Sequence, residues 1–96
     1  MIASFGEQAT EDLYHGRMTG RVRRFPQNIL PATLRKLDML NSAHALDDLR
    51  MPPGNRLHRL SGDLEGRFSI RVNDQWRIIF RWHEHDAHDV SLTDYH

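Results

Sequence analysis

His58, the arginines between Arg50 and Arg81, and the terminal Asp94-Tyr95-His96 are the residues of this chain whose types can act together chemically. One substrate that such a set can cleave is an RNA backbone. A ribose 2′-hydroxyl can attack its own adjacent phosphate. The reaction then needs one group to take the 2′ proton, another to protonate the departing 5′ oxygen, and cations against the charge on phosphorus. It requires no metal. Histidine suits either proton role near neutral pH. Arginine's planar fork suits phosphate oxygens, and Tyr95 can stack a splayed base or supply a proton. By itself the set leaves a second reading open, in which His58 is an inconsequential strand residue and His96 belongs to a frayed tail.

Other chemistries find little support. Seven histidines invite a metal, but His83, His85 and His88 sit with Glu84 and Asp86 around a turn, without a recognised ligand spacing. Solvated surface histidines are the simpler reading, and no metal is expected. There is no phosphate-binding glycine loop and no Gly-x-Ser-x-Gly elbow, so no nucleotide cofactor is expected. With no cysteine in the chain, disulfides, thiolate sites and a cysteine nucleophile are excluded.

The arginines must be positioned by strands. From Gly66 the chain alternates: Phe68, Ile70 and Val72 point one way, and Arg67, Ser69 and Arg71 the other. After Asn73-Asp74-Gln75, Trp76, Ile78, Phe80 and Trp82 share a face opposite Arg77, Ile79 and Arg81. Matching the apolar faces fixes the register, because a slip of one residue would turn every side chain over. A three-residue connection pairs Val72 with Trp76, Ile70 with Ile78 and Phe68 with Phe80; a two-residue Asn-Asp turn would set apolar against polar. The same register places Arg71 across from Arg77 and Arg67 across from Arg81. Directly opposed like charges destabilise a strand pair, so this face is expected to meet an anion, unless the long side chains simply splay into solvent. Arg56, Arg59, Arg67, Arg71 and Arg81 are the candidate phosphate contacts.

The remaining elements frame this hairpin. Met1 to Phe5 reads as a first strand. Glu7 to His15 reads as a short helix that Thr10 can cap. Arg17 to Arg24 reads as a basic connecting loop. Pro26 to Leu46 holds the main helix, with Leu30, Leu34, Leu37 and Leu40 as its apolar stripe and Pro31 in its first turn. Pro52-Pro53-Gly54 is a loop, Arg56 to Leu60 a short strand, Ser61 to Gly66 a turn, Glu84 to Ala87 another turn, and Val90 and Leu92 mark the last strand. The expected class is α+β, in the order β-α-α-β-β-β-β: two N-terminal helices packed on a curved, mainly antiparallel sheet. Residues 1–96 read as one domain with no repeat or linker.

The formal net charge is zero, but its distribution is uneven. Arg50 to Arg81 holds seven arginines against three acids, a net of +4, whereas Trp82 to His96 holds four acids and neither lysine nor arginine. Twelve of the thirteen basic residues are arginine. Such a footprint suits a nucleic-acid backbone. No apolar run approaches a membrane span and the N-terminus lacks a secretion-signal pattern, so a cytoplasmic protein without membrane contact is expected.

The chain resembles the HigB toxins, the plasmid-maintenance killer branch of the RelE/ParE superfamily. The matching pieces are Met1-Ile2-x-Ser4-Phe5, Pro52-Pro53-Gly54-Asn55-Arg56-Leu57, Leu60-Ser61-Gly62-Asp63, Gly66, the run Ser69 to Phe80, and Asp94-Tyr95-His96. The resemblance implies a microbial-RNase-like fold. It also implies an endoribonuclease that enters the ribosomal A site of the 30S subunit and cuts translated mRNA. The implied partner is a HigA-type antitoxin with a helix-turn-helix, which carries the toxin to operator DNA. The family's catalytic positions land on His58, Arg77, Asp94, Tyr95 and His96, with Arg77 clamping phosphate, His58 and His96 moving protons, Tyr95 positioning the nucleotide and Asp94 orienting a neighbour. Two departures, Ser61 in place of a lysine and no arginine near Asn73, imply weaker transition-state stabilisation and a slower toxin. Asp94 also shares the parity of Val90 and Leu92, which would make it a structural pin of the tail. Two other classes remain: a non-catalytic inhibitor of a protein target such as DNA gyrase, as ParE toxins are, and a weakened toxin serving as antitoxin corepressor.

Overall fold

The apolar faces of two arginine-bearing strands decide the architecture. The computed structural model describes residues 1–95. Strands β1 (His58–Arg59), β2 (Arg67–Arg71), β3 (Trp76–His83) and β4 (Asp86–Asp94) form one antiparallel sheet in that order. The β2–β3 register is the expected one: Phe68 faces Phe80, Ile70 faces Ile78, Arg71 faces Arg77 and Arg67 faces Arg81. The connection closes through Asn73, whose side-chain oxygen accepts from the backbone N–H of Gln75 and of Trp76 at 2.9 and 2.7 Å. That side-chain turn substitutes for the glycine such loops often use.

Three helices cover one side of the sheet: α1 (Gln8–Tyr14), α2 (Gly20–Arg23) and α3 (Leu30–Ser42). Leu30, Leu37 and Leu40 of α3 are buried with Ile70, Ile78, Phe80, Val90 and Leu92 in the core. Pro31 lies in the first turn of α3, where a missing N–H costs nothing. A 3₁₀ turn over Gln27–Ile29 leads into α3, so the helix itself is shorter than the Pro26–Leu46 span expected.

Four local expectations are corrected. The N-terminus is not a regular strand; it makes two isolated parallel bridges to β4, Ile2 with Ala87 and Phe5 with Val90. Thr10 does not cap α1. It is buried inside the helix, where its hydroxyl donates to Glu7 and accepts from the backbone N–H of Leu92 at 2.9 Å. A buried N–H without such a partner is costly, which explains the hydroxyl's position. The Arg17–Arg24 stretch contains α2 because buried Asp12 gathers it: the Asp12 carboxylate accepts from Gln8, Thr19 and Arg17, with Arg21 at 3.8 Å. Led by the Gln8 hydrogen bond, these partners hold the Asp12 carboxyl below the usual range. Thr19 then caps α2 by accepting from Val22 N–H. Finally, the strand expected over Arg56–Leu60 keeps only His58 and Arg59, since Pro53–Asn55 forms a 3₁₀ turn and Arg56 takes φ +45°.

β4 carries a bulge opposite Phe80: Ile79 pairs with Ser91, while Arg81 pairs with His88. Asp89 there has φ +53°, and the kink brings its carbonyl against Gly6. A Cβ on Gly6 would lie 2.8 Å from that oxygen, so the backbones approach this closely only because residue 6 is glycine. Gly6→Ala is therefore expected to lose about 1–3 kcal/mol in urea unfolding, with the transition still cooperative.

Candidate functional site

The side of the sheet away from the helices carries the polar residues. Strand parity assigns His58 and Ser69 as one cross-strand pair, continued by Ile79 and Ser91. The neighbouring row is Arg71, Arg77 and Thr93. The row on the other flank is Arg67, Arg81 and His88. Ser69 is fully buried and Ile79 is 2% exposed although both lie on this side. The face thus has a shielded floor, and charge–dipole interactions above it are stronger than in open water.

Arg77 is the best-held cation there. Its Nη1 donates to Ser69 Oγ at 3.0 Å, and its guanidinium carbon lies 5.7 Å from the centre of the Tyr95 ring. A cation–π contact at that range fixes the plane of the fork. Tyr95 is itself anchored, because its backbone N–H donates to the Gln75 carbonyl at 2.8 Å. The two other face arginines with recorded partners are compensated by acids: Arg71 pairs with Asp74, and Arg81 Nε lies 3.3 Å from Asp89. These pairs explain how the two Arg–Arg juxtapositions are tolerated. Among the described residues no carboxylate pairs with Arg77. A guanidinium oriented by neutral groups can take an anion through its fork.

The sequence candidates divide accordingly. His58, Arg67, Arg71, Arg77 and Arg81 share the face, and Tyr95 lies against Arg77. Arg59 does not join them: it pairs with Phe68 and stacks over that ring at 5.4 Å, on the helix side. Arg56 is exposed in the turn preceding β1. Asp94 pairs with Trp76, also on the helix side, and accepts from Gln75 Nε2 at 3.0 Å. It ties the last strand to the hairpin loop. His96 lies outside the described residues. Ser69 and Thr93 were not among the candidates, although the alternation that selected Arg77 puts both beside it. Lys36 was also missed; its ammonium reaches Asn55 from α3, and nothing in the helical period signals that.

A family model described as RelE-like toxin of type II toxin-antitoxin system HigB matches residues 3–96. The chain belongs to this HigB-like toxin family. Toxin HigB-1 of Vibrio cholerae serotype O1 is 45% identical over 95 residues, covering 99% of this chain and 94% of that protein. Endoribonuclease HigB of Proteus vulgaris is 31% identical over 96 residues and is covered, like this chain, over its whole length. A chain of the YoeB-YefM complex from Staphylococcus aureus superposes with a TM-score of 0.61 at 12% identity, over all of this chain and 98% of that one, and so shares the fold. The family resemblance read from the Ser69–Phe80 run and the tail is thereby confirmed, and the chain is the toxin half of a toxin–antitoxin pair. No helix among the described residues is long and apolar enough to cross a membrane.

Because Ser69 meets Arg77 from a fully buried position, Ser69→Ala removes the hydroxyl without opening a large cavity. The variant is expected to unfold within about 1 kcal/mol of the wild type. At equal protein level, its growth inhibition should be clearly weaker. Full toxicity would mean that the hydroxyl does not orient Arg77.

Proposed function

We propose that this toxin is a metal-independent endoribonuclease that cuts message on the ribosome. The observation that carries the reading is Arg77, held by the neutral Ser69 and Tyr95 on a face that also presents His58. The family and the relative named as an endoribonuclease support it.

The scissile phosphate sits against the Arg77 guanidinium, which meets the charge growing on its non-bridging oxygens. The ribose 2′ oxygen forms a bond to phosphorus while the bond from phosphorus to the 5′ oxygen breaks, leaving a cyclic phosphate and a free 5′-hydroxyl. One imidazole takes the 2′ proton and another supplies the proton to the 5′ oxygen. His58 fills one role, two strands from Arg77 across Ser69, and His96, directly after Tyr95 in the chain, fills the other. Tyr95 stacks the base of the cleaved nucleotide, as aromatic side chains do with splayed single-stranded bases. Arg67, Arg71 and Arg81 follow the backbone on either side, and Asp94 holds the strand end that presents Tyr95. The message is read in the A site of the 30S subunit, where it is single-stranded and exposed. A HigA-type antitoxin with a helix-turn-helix sequesters the toxin and carries it to operator DNA.

Primer extension on message from expressing cells tests the reading. Arg77→Ala is expected to lose about 10²–10³-fold in cleavage, the usual loss on removing one transition-state donor, while the protein still folds and is captured by its antitoxin. Undiminished cleavage by this variant, or intact message during growth arrest by the wild type, would overturn the proposal. The latter would favour a non-catalytic inhibitor of a protein target. Deleting His96 should slow cleavage about 10²–10⁴-fold, the range for a lost general acid or base. An unchanged rate would remove His96 from the mechanism.

A further inference from the structure

One cation outside the proposed catalytic set is placed as deliberately as Arg77. Lys36 is the only lysine of the chain, half-buried on α3. Its ammonium donates to Asn55 Oδ1. Asn55 is fully buried, and its amide nitrogen donates to the carbonyls of Leu49 and Met51 at 3.2 and 3.3 Å. The carbonyl end of that amide therefore has a fixed direction, and it aims the lysine. Among the described residues no carboxylate pairs with Lys36. The ammonium is held by a neutral amide, which directs it and leaves its charge in place.

Its surroundings are cationic. Burial first, then the charges of Arg35 and Arg71, push the Lys36 pKa below its ordinary value. Asn55 lies in a 3₁₀ turn that packs against β2, the strand that ends in Arg71, and Asp74 just beyond it is taken by Arg71 and is almost wholly in solvent. Arg71 in turn faces Arg77 directly across the β2–β3 ladder, a separation of roughly 4.5–5.5 Å between Cα atoms. Successive phosphates of one strand are spaced about 3.4 Å along a duplex axis, so cations on neighbouring strands can meet neighbouring phosphates. We infer that Lys36, aimed by buried Asn55, and Arg71 form a second phosphate subsite, which binds the message phosphodiester adjacent to the one at Arg77. Lys36 is then a positioning residue: it anchors the strand so that the scissile linkage meets Arg77. The inference rests on the endoribonuclease reading above.

The test is single-turnover cleavage of message on programmed ribosomes, over 50–200 mM salt as the working range for counterion effects. Lys36→Gln keeps a donor for Asn55 and removes only the charge. It is expected to raise the half-saturating concentration about 3- to 10-fold and to flatten the salt dependence by about 0.7 in logarithmic slope, one single-strand phosphate contact. The rate at saturation should stay within about two-fold of the wild type, and Lys36→Arg should restore binding. Half-saturation and slope equal to those of the wild type would overturn the inference. A loss confined to thermal stability would do so too, by making Lys36 purely structural.

Message carrying a neutral methylphosphonate on each side of the cleaved linkage in turn identifies the phosphate. At one of the two positions the wild type should lose at least as much as Lys36→Gln does, and the variant, left with Arg71 alone there, should lose clearly less than the wild type. Additive losses at both positions would overturn the assignment and give the cation to ribosomal RNA. The endoribonuclease reading is judged separately, by wild-type cleavage and its loss in Arg77→Ala. Intact message with the wild type would sink both.

Discussion

The arginine face is arranged around Arg77, a guanidinium that no carboxylate meets among the described residues. Arg77 is held by the Ser69 hydroxyl and the Tyr95 ring, groups that orient it and leave its charge unspent. Compare Arg71 and Arg81, whose charges are met by Asp74 and Asp89. Placing four arginines in two facing pairs costs stability, and the two acids offset much of that cost. They meet Arg71 and Arg81, one arginine of each facing pair. The shielded floor of Ser69 and Ile79 increases the effect of Arg77, because fewer waters compete for the fork. A carboxylate beside Arg77 would stabilise the fold and abolish the receptor.

Three ties hold that arrangement, one local and two between distant segments. Asn73 closes the hairpin so that Arg71 and Arg77 stand in register. Gln75 receives the tail, through its carbonyl to Tyr95 and its side chain to Asp94. The bulge at Asp89 turns β4 so that its carboxylate reaches Arg81, and the N-terminal segment follows the kink through Gly6. β-bulges often re-aim a side chain in this way next to a functional site. The helices contribute from the other side. Thr10 satisfies Leu92 N–H inside β4, and Asp12 gathers α1 and α2 into one unit. A small toxin of the HigB-like family thus carries its arginines on one face of a sheet and its core on the other.

The separation of faces also suits a protein that must be both neutralised and active. The helix side is free of the proposed catalytic groups apart from Asp94, whereas His58 of β1 lies on the arginine face. A partner can grip this side without imitating RNA. The arginine face, by contrast, carries Arg71 and Arg77 in one row and Arg67 and Arg81 in the other.

Much of the site was legible in residue order, because strand parity is local. Alternation from Arg67 to Arg81 determined which side chains share a face, and matching apolar residues determined the β2–β3 register and the loop length. The same parity already set Asp94 with Val90 and Leu92. The leucine period located α3, and the Ser69–Phe80 run with the tail located the family. What the tertiary structure alone decided involves residues far apart in the chain. Thr10 serves Leu92 and not its own helix end. Asp12 turns a basic loop into α2, and the first five residues only bridge to β4. Lys36 meets Asn55, and Tyr95 lies on Arg77. Periodicity records the side to which a residue points, whereas the partner it meets depends on how distant segments close around one core, and no local pattern carries that information.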